Sequence, residues 1–285
     1  MSYLLMDMGN SRCKAVLAKA DQELNKHWLE RFTWDNQQFD KEHWLGKLQS
    51  LKLQALELQA TIQKIYISSV ANEQTKLLIS SWCQSIFELK PVFADSQASY
   101  SSGVDSAAQP AVNRRQLVNS YDKPTALGVD RWLAMVGAIE RSDGAFAVLD
   151  AGTAITLDLV DNKGQHLGGH IVPGARLMQK ALFGDTGKIA YGASLDASDP
   201  TQEQWLGNNS LQAVELGTYQ AALGYLKSCI ERLQSHYGIA EIFVCGGDGA
   251  LMMEQILLPA NFNWLHCPDL VLEGLFYQQV SSQND

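Results

Sequence analysis

No run in the sequence approaches eighteen apolar residues, so nothing in it reads as a membrane-crossing helix. The opening Met-Ser-Tyr-Leu-Leu-Met-Asp has no basic segment and meets an acidic group at Asp7, so no secretory signal is expected there. Cysteine is sparse and unpaired in pattern. Cys13, Cys83, Cys229, Cys245 and Cys267 are scattered, odd in number and form no C-x-x-C. Such usage excludes a disulfide framework and predicts reduced, buried thiols in a cytoplasmic protein. Positive charge is in short supply: 22 Lys and Arg stand against 31 Asp and Glu, a net −9. A chain with that balance is a poor partner for nucleic acid or an anionic membrane. Neither G-x-x-x-x-G-K-[ST] nor a strand followed by G-x-G-x-x-G occurs, so two common nucleotide sites lack support. His166 and His170 are four apart, but Gly164, Gly168 and Gly169 argue against a helix that would join them around a transition metal.

The chain has 285 residues, enough for two domains or one large one. Apolar runs at 3–8, 13–17 and 27–34 read as strands, with D-x-G-N at residues 7–10 as a tight turn between the first two. Helices are expected over 38–59 and 73–87, with strands at 61–70 and 90–93. Residues 95–112, rich in Ser, Ala and Gln, lack apolar periodicity and read as a loop. A helix is expected over 124–139. Strands follow at 145–150, 155–160 and 167–172, then helices over 174–183 and about 208–236. A strand at 242–245, a helix at 249–257, a strand near 262–265 and a helix over 270–280 complete the reading.

A weak internal repeat organises these elements. A strand, D-x-G and a second strand occur at Asp7-Met8-Gly9-Asn10-Ser11 and again at Asp150-Ala151-Gly152-Thr153-Ala154. Two similar halves are expected, 1–143 and 144–285, sharing a cleft, with turn chemistry at Arg141-Ser142-Asp143-Gly144 between them.

Each D-x-G turn can serve a phosphate. Glycine lets backbone approach a ligand closely, and successive turn N–H groups with polar side chains cradle phosphate oxygens. Asp7 cannot bind phosphate itself, but can hold Mg²⁺ that bridges phosphates. Lys14 can reach them or serve as a surface lysine. Alone, either motif also reads as a plain hairpin turn. Two of them at matching places suggest the phosphate clamp of actin-like and sugar-kinase ATPases. At Gly128-Val129-Asp130-Arg131, Arg131 can pair with a substrate carboxylate. Asp130 can take the proton of a hydroxyl attacking a γ-phosphoryl group. The same pair also reads as a helix-start Asp beside a surface Arg. Gly168-Gly169-His170-Ile171-Val172-Pro173-Gly174 is either a bend or a ligand approach. Gly246-Gly247-Asp248-Gly249 can pass a nucleoside face.

In this order the motifs D-M-G-N-S, Y-x-x-P-x-x-L-G-V-D-R, D-A-G-T-A, G-G-x-I-x-P-G and C-G-G-D-G resemble the type III pantothenate kinases of the acetate and sugar kinase/Hsc-type/actin superfamily. The resemblance runs from residue 4 to about 275. It implies an α/β fold of two actin-like, ribonuclease H-like halves, each a mixed sheet flanked by helices, facing a nucleotide cleft. It implies ATP-dependent phosphorylation of pantothenate to 4'-phosphopantothenate, the first step towards coenzyme A. By the same resemblance Asp7, Met8, Gly9, Asn10, Ser11, Arg12, Cys13 and Lys14 cover the ATP phosphates, with Mg²⁺ at Asp7, and Thr153 contacts ATP. Asp130 is the general base. Tyr121, Gly128, Val129, Asp130, Arg131 and Thr186 face pantothenate, and Asp150 helps bind a monovalent cation, K⁺ or NH₄⁺. A homodimer is implied as well. The family usually has an apolar-Pro pair soon after the Thr186 position, whereas here Thr186-Gly187-Lys188-Ile189-Ala190 has no proline. The rival readings are a transcriptional regulatory relative of the same fold and an actin-like kinase for another small acid or sugar. Retention of Asp7, Asp130 and Asp150 favours an enzyme, and G-V-D-R with the upstream tyrosine favours pantothenate.

Overall fold

The structure is a computed structural model that describes residues 2–19, 28–36, 39–102, 115–185, 205–256 and 262–280. Its elements in chain order are β1 (Ser2–Met8), β2 (Arg12–Lys19), β3 (Trp28–Asp35), α1 (Lys41–Glu57), β4 (Ile62–Ser69), α2 (Glu73–Phe87), β5 (Val92–Phe93), β6 (Ser99–Ser101), β7 (Gln116–Val118) and α3 (Val129–Ile139). Then come β8 (Phe146–Ala151), β9 (Ala154–Val160), β10 (His166–Pro173), α4 (Ala175–Asp185), α5 (Ser210–Tyr237), β11 (Glu241–Cys245), α6 (Gly249–Gln255), β12 (Asn263–His266) and α7 (Leu270–Val280). The chain divides into two compact units. One holds Met1–Ala145, Asp158–Gly168 and Asp269–Asp285, the other Phe146–Leu157 and Gly169–Pro268.

The first unit is built on a five-stranded sheet of order β3-β2-β1-β4-β5. β1 pairs antiparallel with β2 and parallel with β4. Side chains alternate between sheet faces, so β1 and β2 send Leu4, Met6, Met8, Cys13, Ala15 and Leu17 into one apolar cluster. α1 and α2 close that face with Trp44, Leu48, Leu51, Ile79, Trp82 and Cys83. Their N-caps follow the usual chemistry: Asp40 accepts from the His43 N–H at 2.8 Å and Asn72 from the Thr75 N–H at 2.9 Å. α3 and α7 pack against each other and on the central strands. A strand covered on both faces must be apolar throughout, and β1 is buried from Ser2 to Met6. Asp7 breaks that run at the carboxyl end of the strand.

The second five-stranded sheet has the order β10-β9-β8-β11-β12, the same sequence of positions as the first. β11 lies parallel to both β8 and β12. The two-residue Gly152-Thr153 link joins β8 to β9 as only antiparallel neighbours can be joined. α4 and α5 pack together in the second unit, where Gln179 Nε2 donates to Thr218 Oγ1 at 3.1 Å.

Two sequence expectations are corrected. The helix expected over 124–139 is interrupted. Pro124–Ala126 forms a single 3-10 turn, Leu127 is extended, and the α-helix begins after Gly128. The segment read as a loop from residue 95 contains β6, which pairs antiparallel with β7, a strand the sequence pattern did not suggest. Three-residue strands are too short to display alternation. Their anchor is Tyr100, buried, whose hydroxyl donates to Glu140 at 2.7 Å. Residues 103–112 of that segment lie outside the described residues.

Candidate active site

α3 carries the central pair of the first unit. Its sequence is apolar nearly all round, and all but Asp130 of its eleven residues are buried. A helix of that kind belongs to a core, so a charge on it needs a partner. Arg131, 6% exposed, finds one in Asp158, 1% exposed, near the end of β9. Nε donates to Asp158 Oδ2 at 2.8 Å and Nη2 to Oδ1 at 2.5 Å, a two-pronged fork on a carboxylate. Nη1 donates to the Tyr121 hydroxyl at 3.1 Å. His166, at the start of β10 and 1% exposed, meets Asp158 Oδ1 through Nε2 at 3.0 Å and Ser120 Oγ through Nδ1 at 3.0 Å. All of these residues belong to the first unit.

Burial works against the Arg131 charge, but the bonded Asp158 carboxylate and Tyr121 hydroxyl outweigh it and hold its pKa above the ordinary value. Asp130 is in the opposite position. Burial pushes its carboxyl above the usual aspartate value. The Arg131 backbone N–H, which donates to Asp130 Oδ1 at 2.8 Å, and the Arg131 charge pull it back, while the Asp158 charge adds to the rise. Gly128 precedes this carboxylate for a steric reason. A Cβ there would stand 2.7 Å from Asp130 Oδ1, so any larger residue would displace it.

The first D-x-G turn is a two-residue hairpin. Gly9 N–H donates to Arg12 O at 3.0 Å, with Asn10 and Ser11 at the tip. Asn36, following β3, ties the turn from the side, its Nδ2 donating to Gly9 O at 2.7 Å and its N–H to Ser11 O at 2.9 Å. Strand register sets Asp7 opposite Lys14 on β2 and beside Ser68 on β4. Met8 and Cys13 also pair across the hairpin, but both are buried, so their part in any ligand contact is through backbone. Arg12 is exposed.

The second turn gathers three glycine motifs within the second unit. Asp248 N–H donates to Ala151 O at 2.8 Å and Gly174 N–H to Thr153 O at 2.9 Å. Gly246 has φ +86°, a left-handed backbone, and a Cβ there would collide with both Ala151 O and Asp150 Oδ1. So D-A-G-T, P-G and G-G-D-G, spread over about a hundred residues of sequence, meet around the turn of residues 150–153. Arg176 on α4 forms an ion pair with Asp248.

Among known proteins, the family description of type III pantothenate kinases fits residues 3–232. The chain belongs to the type III pantothenate kinase family. The type III pantothenate kinase of Pseudomonas fluorescens (strain Pf0-1) is 35% identical over 203 residues, covering 71% of this chain and 75% of that one. That of Cellvibrio japonicus (strain Ueda107) is 29% identical over 274 residues, 95% of this chain and 94% of that one. Two solved structures share the fold at low identity. A protein of Campylobacter jejuni described as a Baf family transcriptional activator has a TM-score of 0.50 and 20% identity, covering 99% of this chain and 98% of that one. The ethanolamine utilization protein EutJ of Carboxydothermus hydrogenoformans has a TM-score of 0.51 and 11% identity, covering 96% and 89%. The two mixed sheets, alike in strand order and flanked by helices, are the α/β fold expected from the sequence.

Within this family member, Tyr121, Gly128, Val129, Asp130 and Arg131 lie together in the first unit, although Val129 points into the core. Thr186 lies outside the described residues. Asp158 and His166 were not among the expected site residues. The sequence did carry a signal for Asp158, the lone charge in the apolar run Ile155–Val160. His166 and His170 part company: His170 Nδ1 meets the Tyr225 hydroxyl at 3.2 Å. All five cysteines are free and buried.

Proposed function

We propose that this chain transfers the γ-phosphoryl group of ATP to the primary hydroxyl of pantothenate. The observation that carries the reading is Asp130, an aspartate at the first turn of a core helix, set beside an arginine whose own charge is already answered by Asp158. Asp130 accepts the hydroxyl proton while the hydroxyl oxygen attacks the γ-phosphorus. The bond from that phosphorus to the β-phosphate oxygen breaks, and ADP leaves with the electron pair. The raised carboxyl makes Asp130 a better proton acceptor than an ordinary aspartate once it is ionised. The carboxyl end of a β-strand with parallel neighbours is where ligands gather in α/β sheets, and both Asp7 and Asp150 stand at such ends.

The turn from Asp7 to Lys14 contributes backbone N–H groups, the Asn10 and Ser11 side chains and Lys14 to the phosphates of ATP. Asp7 takes the Mg²⁺ that accompanies them. Ser68, beside Asp7 in register, has a buried hydroxyl with no protein partner among the described residues, which suits an ion-bound water there. Thr153 contacts ATP. The Asp150 carboxylate and the Ala151 carbonyl both border the space that a Cβ at Gly246 would fill, and oxygen donors of this kind suit a hard cation. K⁺ or NH₄⁺ is the cation assigned to this site. Tyr121 and Gly128 face pantothenate, with Arg131 behind the tyrosine hydroxyl. The protein acts as a cytoplasmic homodimer. Among the described residues no helix is long and apolar enough to cross a membrane.

The test is a coupled ADP-release assay with ATP, Mg²⁺ and pantothenate, run in potassium and again in sodium alone. Pantothenate-dependent ADP that needs potassium is expected. Its absence in both salts, from folded protein, would turn the reading towards a regulatory relative or another acceptor.

A further inference from the structure

The Tyr121 hydroxyl has one proton and two lone pairs. Arg131 Nη1 donates to its oxygen, so the hydroxyl proton must point away from the guanidinium. The guanidinium cannot swing aside, because Nε and Nη2 are clamped on Asp158. Asp158 is clamped in turn. A carboxylate has no proton to give, so the proton between Asp158 Oδ1 and His166 Nε2 belongs to the histidine. In the neutral ring, Nδ1 then accepts from the Ser120 hydroxyl. Ser120 is the chain neighbour of Tyr121, so the connections close into a ring: Tyr121, Arg131, Asp158, His166, Ser120 and back. The imidazole of His166 also lies nearly parallel to the Tyr121 ring, 15° between planes with centroids 6.2 Å apart, which limits how the phenol can tilt. Asn119 fixes the backbone beneath, its Oδ1 accepting from the Tyr121 N–H at 3.0 Å and its Nδ2 donating to Gln97 O and Pro124 O.

A buried ion pair is a weak source of stability, since apolar residues of similar volume often do as well. What the pair does supply is direction. Every member of the ring except Ser120 and Tyr121 is buried, and Tyr121 is the half-buried member that can meet a small molecule. We propose that Asp158 and His166 are positioning residues that act through Arg131 to aim the Tyr121 hydroxyl proton at an oxygen of the acidic substrate. This assigns Arg131 a supporting part, its fork spent on Asp158, with Tyr121 as the hydrogen-bond donor to substrate. The inference rests on the pantothenate kinase reading of the site.

The experiment is a double-mutant cycle on the full chain, Tyr121→Phe, Asp158→Asn and both together, with steady-state constants for pantothenate and for ATP and a thermal melt of each protein. Tyr121→Phe removes the donor and is expected to raise the pantothenate KM about tenfold, the worth of one hydrogen bond, with the ATP KM unchanged. Asp158→Asn should raise the pantothenate KM to a similar extent. In the double variant the effects should not multiply, because the second change removes support for a group already gone. His166→Gln, whose amide nitrogen lies where Nε2 does, should stay within about threefold of the parent, and His166→Ala should behave like Asp158→Asn. Should Asp158→Asn fail to fold, the cycle of His166→Ala with Tyr121→Phe answers the same question. Effects on KM that multiply, or a fall in kcat alone with both KM values kept, overturn the inference and leave the activity standing. Parent protein that is folded yet gives no pantothenate-dependent ADP overturns the activity, and the inference with it.

Discussion

Asp130 must be ionised to accept a proton, and its surroundings resist that charge. With its carboxyl raised by burial, kcat/KM for pantothenate should fall on the acid side at a pH above the ordinary aspartate range of about 3.9. A pH–rate profile checks this. The same shift has a consequence for stability. A carboxyl raised in the fold holds its proton more tightly there than in the unfolded chain, so it favours the fold at low pH and that support is lost as pH rises through the shifted value. Asp130→Asn keeps an oxygen for the Arg131 N–H and discards the charge. Its melting temperature near pH 7.5 should therefore equal or exceed the parent's, with the difference narrowing as pH falls. Turnover should drop about 10²- to 10⁴-fold while ADP binding, followed by calorimetry, is retained. Parent-like turnover would remove Asp130 from the base role. Gly128→Ala is a gentler probe: it should lower kcat through the displaced Asp130 carboxylate, with the far-ultraviolet dichroism unchanged.

At the scale of elements, α3 is held by α7. Two glycines let them approach, Gly137 against Leu270 and Gly274 against Leu133, and a Cβ at either would collide with a backbone carbonyl. Trp132 Nε1 donates to Gln278 Oε1 at 2.6 Å across the same contact. Gly274→Ala should cost about 3 kcal/mol by overpacking, read as a melting temperature lower by roughly 6–12 °C. Elements of this kind were legible where packing and local chemistry agree. The helices over 73–87 and 270–280 stand where apolar periodicity puts them. Periodicity misled at 124–139, since Leu127 falls in line with Trp132, Leu133, Val136 and Ile139 as an inward position, yet extended backbone at Leu127 breaks the helix before Gly128. The order of motifs pointed to Asp7, Asp130 and Asp150. The partners of Arg131 stayed hidden, because Asp158 lies 27 positions on and only the fold of the β9–β10 hairpin brings it back. An isolated acid in an apolar strand asks for a cation without naming which one.

At the scale of the whole molecule, the five cysteines avoid solvent throughout. Burial raises the Cys13 thiol far above its ordinary pKa and Cys83 to about 12, so neither offers a thiolate at neutral pH. Native protein should react with an aromatic disulfide reagent only slowly, and five thiols per chain should appear at once on unfolding in guanidinium. Prompt labelling of the native protein would contradict that burial. A different consequence follows from α7. It is the last described helix, yet it packs on α3 and β1 in the first unit. A ribosome releases the chain from its beginning, so β1 through α3 emerge long before the helix that covers them. Until about residue 280 has left the exit tunnel, the helix bearing Asp130 has an uncovered apolar face. The first unit is the first to be started and the last to be finished, and a growing chain stalled before α7 should bind chaperone rather than fold.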